Sequence, residues 1–146
     1  MPHFRSFSKL VLLSTLLAFV SVSCASNKVQ QCRKIIEITV GVSDQIEELS
    51  DNGKTQDPQE AREAANAMEK AAQEIEGLVI QDEQLQEYQA GFVKTYRGFS
   101  QSTYDFIAEL EKKNLQAAKS VQKKLQEVGS TEEELVNGIN NYCQSE

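Results

Sequence analysis

The chain has no tryptophan, a single histidine and only two prolines in 146 residues. Its histidine, His3, lies inside the first nine residues, so from Leu10 onward there is no imidazole to act as general base, triad member or metal ligand. Positive charge is scarce as well. Fifteen Lys and Arg face 22 Asp and Glu, for a net charge of −7 and a pI near 4.8. Such a surface repels phosphate, which excludes nucleic acid as a partner. No Gly-rich phosphate loop, GxSxG elbow, CxxCH haem site, Glu-x-x-His pair or calcium loop occurs. The acidic runs Glu47-Glu48, Glu74-x-Glu76 and Glu132-Glu133-Glu134 read as solvated faces or helix caps. Neither a metal nor another cofactor is expected, and the chain is read as not an enzyme. Aromatics make up 7% of residues, and only one long apolar run exists, the 13 residues Leu10–Val22, interrupted by Ser14, Thr15 and Ser21. A bilayer core of about 30 Å needs roughly 20 apolar residues, so this run is too short to span comfortably.

What is present fits one ordinary domain, 40% hydrophobic and 25% charged. Arg5 and Lys9, then the apolar run, then small residues give the three-part layout of an export signal over residues 1–23. Val20-Ser21-Val22-Ser23-Cys24 resembles the lipobox of bacterial lipoproteins, with serine at 21 where that family usually carries leucine. The resemblance covers residues 1–24 and implies lipidation of Cys24 as the new N-terminus. Ser21 and Ser23 equally suit ordinary signal-peptidase cleavage, and that alternative stays open. Maturation at Cys24 removes two cations and no acid, so the net charge moves from −7 to −9. The three cysteines, Cys24, Cys32 and Cys143, are an odd number. Lipidating Cys24 leaves Cys32 and Cys143 as a pair able to bridge in an oxidising space, with two unrelated buried thiols as the other possibility. The expected layout is an export signal over 1–23, a lipidated N-terminus and short tether over 24–30, and a bundle domain over 31–146.

From Asn27 on, the period is helical. Cys32, Ile35 with Ile36, Thr39, Val42, Ile46 and Leu49 form one stripe, ended by Asp51-Asn52-Gly53. Asp57-Pro58-Gln59-Glu60 opens a second helix with an N-cap acid, a proline whose missing N–H costs nothing, and a glutamate placed for a capping box. Its face is mostly alanine, Ala61 through Ala72, followed by Ile75, Leu78 and Val79. A third helix runs from about Asp82 to Lys113, roughly 45 Å long. Leu85, Tyr88, Phe92, Tyr96, Phe99, Thr103, Phe106 and Leu110 fall within about 40° of Phe92 and make a core stripe. Gly91, Thr95, Gly98 and Ser102 form a neighbouring small-residue stripe, suited to the alanines of the second helix. Asn114 caps a fourth arm with Leu115, Ala118, Val121, Leu125 and Val128. Gly129 is placed to end that segment, and Ser130 or Thr131 to start another carrying Leu135, Val136, Ile139 and Tyr142. The fold class is all-α, an up-down-up-down four-helix bundle with its last arm broken near Gly129-Ser130. That topology puts Cys32 and Cys143 at the same end, where a bridge would close a loop of about 110 residues.

Val93, Arg97 and Tyr104 project away from the core stripe, with the composition of interface anchors, although a fourth arm lying over them would serve as well. The arrangement as a whole is similar to small helical lipoproteins of bacteria, including the lumenal four-helix lipoproteins that assist photosystem assembly in cyanobacteria. The likeness is architectural, with no motif matched residue by residue. The function expected is non-catalytic: an exported, lipid-anchored bundle in the cell envelope, facing the periplasm, a lumen or the outside. It would act by binding another protein in an assembly or accessory role, with its oligomeric state open. The alternative is a soluble periplasmic or secreted protein that binds a small molecule or cations.

Overall fold

The computed structural model describes residues 21–49 and 57–145, with side chains from Asn27 onward. The export signal lies almost wholly outside the described residues, as do the Cys24 side chain and Asp51-Asn52-Gly53. Among the described residues four helices follow one another: α1 (Ser21–Leu49), α2 (Pro58–Glu76), α3 (Glu83–Glu111) and α4 (Leu115–Gln144).

Three of the helix starts are set by local chemistry that a few residues suffice to specify. The Asp57 carboxylate accepts from the Gln59 N–H at 2.8 Å, with Pro58 opening α2. Asp82 accepts from the Leu85 N–H at 2.9 Å, and Asn114 from the Ala117 N–H at 3.3 Å. Each satisfies one of the four amide donors a helix leaves unpaired at its start. The end of α3 is a Schellman turn: the Asn114 N–H reaches the Glu109 carbonyl and the Lys113 N–H the Leu110 carbonyl, both at 2.9 Å. Lys113 holds the left-handed position, φ 58°, where glycine is the usual occupant.

The helices alternate in direction and share one core. α3 is the central member, with α2 and α4 packed along its two sides; α1 lies mainly on α2 and meets α3 and α4 sparingly. Ile35, Ala72, Ile75, Leu85, Phe92 and Tyr96 are fully buried, and Cys32, Val42, Ala71 and Ile139 nearly so. The stripe on α1 is as expected, with Cys32, Ile35, Thr39 and Val42 buried and Ile36 and Ile46 packed at its margin.

Four points differ from the sequence reading. The break in the last arm is corrected: α4 is one helix of 30 residues from Leu115 to Gln144. Gly129 lies inside that helix, and a Cβ added there would meet Phe99 Cζ at 3.7 Å, an ordinary contact, so this glycine neither ends the helix nor is demanded by the crossing. The Thr131 hydroxyl donates to the Glu127 carbonyl at 3.0 Å, a bond made inside a continuous helix and incompatible with capping a new one. The small-residue stripe of α3 turns toward α4, not the alanines of α2, since Gly91 meets Leu135 and Gly98 meets Val128. Along the far half of α3 the buried set drifts off the Phe92 line: Ser100 and Ile107 are inside, whereas Leu110 is 43% exposed. Finally, residues 24–30 are helical where a tether is suggested by the sequence, because α1 starts at Ser21.

Candidate interaction surface

The two cysteines assigned to a bridge are brought together. Cys32, one turn past Lys28 on α1, bonds Cys143 near the end of α4 across a Cα–Cα distance of 6.0 Å. Around this end of the bundle the turn between α2 and α3 is held by side-chain amides. Gln31, buried on α1, accepts from the backbone N–H groups of Gln81 and Asp82 and donates to the Asn27 carbonyl. Gln89 donates to the carbonyls of Ile75 at 2.7 Å and Leu78 at 3.0 Å, and Gln86 to that of Ile80 at 2.9 Å. These three glutamines satisfy the backbone groups that the end of α2 and the turn leave open. Asn27 adds a bond to the Gln81 side chain at 2.9 Å. Tyr142 of α4 donates to both oxygens of Asp82 and carries the Lys28 ammonium 4.1 Å from its ring centre. Burial, with Asp82 adding to it, raises the Tyr142 hydroxyl above its ordinary pKa.

The three residues singled out on α3 lie at the seam with α2. Arg97 makes a two-pronged pair with Glu76, at 3.0 and 2.7 Å, and its Nε lies 3.6 Å from Glu69. The hydrogen bond to Arg97 holds the Glu76 carboxyl below the usual carboxylate range, and Glu76 raises the guanidinium in turn. Tyr104 donates to the Asn66 side chain at 2.6 Å. Val93 is half-buried against the core. These residues are neither free anchors nor covered by α4: two are engaged by α2 while remaining open to solvent. Val93 and Arg97 also line a surface groove of about 720 Å³ with Val79, Ile80, Gln89 and Lys94. A second groove, of about 400 Å³, runs between α1 and α2 past Lys34, Ile38 and Lys70.

Glu132 was read as a capping or solvent-facing acid. The structure turns it toward Tyr96 across the α3–α4 interface, where burial pushes its carboxyl above the usual range and the Tyr96 hydroxyl partly opposes that. Tyr96 is fully buried, and burial, with the Glu132 carboxylate adding to it, drives its pKa strongly upward. The signal for Glu132 was available: Leu125, Val128, Glu132, Leu135, Ile139 and Tyr142 alternate at steps of three and four, provided that α4 is taken as one helix.

Among the described residues, no group of three or more His, Cys, Asp or Glu is arranged to hold a metal ion, and no helix is long and apolar enough to cross a membrane. No protein-family model matches the chain, and neither the curated proteins nor the solved structures contain a significant match to it.

Proposed function

We propose that this chain is an exported, non-catalytic helical bundle, anchored to a membrane by lipid on Cys24 and acting there by binding another protein. The observation that carries this reading is the Cys32–Cys143 pair, 6.0 Å apart at Cα. A bridge there accounts for two of the three cysteines and leaves Cys24, behind its lipobox-like run, as the odd one. Structural disulfides belong to oxidising, non-cytoplasmic spaces, which agrees with export. The acidic surface and the α2–α3 seam, with Val93 half-buried and Arg97 held in a planar ion pair, suit a protein partner more than an anionic polymer. The role is that of an assembly or envelope accessory protein.

Intact mass of the natively expressed protein tests it. The expected mature chain begins at Cys24, carries diacylglycerol and fractionates with membranes, and its partner co-purifies from detergent extracts. A mature chain of unmodified mass, or Cys24→Ala protein sorted like the wild type, refutes the anchor. The soluble small-molecule binder is the second reading, favoured by the α2–α3 groove, whose volume of about 720 Å³ is within the ordinary range for ligand sites. Ligand retained by the purified soluble protein is the result that would select it.

A further inference from the structure

The geometry points to a bilayer contact by the turn between α2 and α3, with Val79 seated in the lipid interface and the bundle standing on its disulfide end. This rests on the anchoring reading above and adds an orientation to it. The helix α1 is continuous from Ser21, so Cys24 is three residues from Asn27, about 4.5 Å along the axis at 1.5 Å per residue. Asn27 is bonded to Gln81 in that turn at 2.9 Å. Val79 is two residues further, within about 7 Å of extended chain. Because no slack separates the lipidated position from the folded bundle, a membrane held at Cys24 comes up against this turn.

The surface chemistry of the turn fits that neighbour. Val79 is 77% exposed, the highest value among the large apolar side chains described. Gln31, Gln86 and Gln89 bond backbone groups on either side of it, the N–H groups of Gln81 and Asp82 and the carbonyls of Ile80 and Leu78, which lowers the hydrogen-bonding cost of apolar surroundings. Lys28, the cation on the same end of α1, is engaged by the Ser145 carbonyl at 2.9 Å and by the Tyr142 ring. The contact therefore draws on Val79, with the acids Glu76, Asp82 and Glu83 flanking the turn, and needs no anionic lipid. At the opposite end Leu115, 70% exposed, stands one length of α3 away, about 43 Å for 29 residues.

The absence of tryptophan makes the test direct. The full chain carrying Val79→Trp or Leu115→Trp is exported, purified and reconstituted in phosphatidylcholine vesicles, with or without brominated acyl chains. The protein is expected to float with the vesicles; Val79→Trp should lose most of its emission to the brominated lipid, while Leu115→Trp loses none. Floating protein with an unquenched Val79→Trp, or with Leu115→Trp quenched instead, overturns the seated turn and leaves the anchor standing. Protein that fails to float takes down both readings, and flotation reports this before any fluorescence is read.

Discussion

Removing the Cys32–Cys143 bridge is the perturbation whose size the structure sets most directly. The bridge spans a sequence separation of 111 residues, nearly the whole bundle. In the chain-entropy treatment, closing a loop of that length restricts the unfolded ensemble by about 4.8 kcal/mol at 25 °C. That is a large share of the roughly 5 to 15 kcal/mol by which domains are stable. The native state adds a second reason for a large effect. α1 lies mainly on α2 and touches α4 little, so the bridge is the chief tie between the first and last helices. Cys32→Ala with Cys143→Ala avoids burying a hydroxyl at position 32, which is 4% exposed. The double variant is expected to lose about 3 to 5 kcal/mol in urea unfolding. Wild type unfolded in reductant should fall to the same midpoint. Hydrogen exchange should show the first half of α1 opening before α2 and α3. A loss under about 1 kcal/mol, or unchanged protection in α1, would refute the argument, because removing a native disulfide from a small domain typically costs about 2 to 5 kcal/mol.

Two glycines should respond differently to alanine. Gly41 has nothing within 4 Å of an added Cβ, so Gly41→Ala should stabilise by about 0.5 to 1 kcal/mol, while at Gly91 a Cβ would meet Leu135 Cδ2 at 2.7 Å and push that methyl aside, so Gly91→Ala should forfeit that gain in thermal or urea unfolding. Glu132 has its folded pKa raised by burial, so its charged form weakens the fold above that pKa, and the loss is relieved as pH falls through the folded value toward the unfolded one. Glu132→Gln should therefore stabilise the protein at neutral pH, and its advantage should vanish in acid; a gain independent of pH in urea titrations would exclude titration of Glu132 as the cause. Arg97→Ala with Tyr104→Ala removes solvent-exposed bonds to α2 and should leave the fold intact, with little change in the urea midpoint, while reducing partner recovery from detergent extracts. Unfolding of this double variant would mean that the α2–α3 seam depends on them for stability.

The parts of the fold that follow from short stretches of chain are those whose causes are local. Asp57-Pro58, Asp82 and Asn114 start helices because a side-chain oxygen satisfies an amide two or three residues on, a bond that the local sequence is enough to specify. The stripe from Cys32 to Leu49, the alternation of four arms, and the meeting of Cys32 with Cys143 follow from periodicity and short connections. Residues with two local meanings behave differently. A glycine lacks a Cβ, which serves a helix end and a close helix crossing alike; at Gly91 the neighbouring Leu135 uses the crossing, and at Gly129 α4 runs on past Phe99 with no cap. Because α4 is continuous, Glu132 falls on its inner face against Tyr96, whereas a helix starting at Ser130 or Thr131 would place it in a first turn. Arg97 and Tyr104 are likewise defined by partners 21 and 38 residues away, on a helix whose rotation about its axis nothing in α3 specifies. Helix starts are fixed by bonds within one turn, whereas which face is covered and by what depends on how neighbouring helices are rotated and spaced, a property of the packed core as a whole.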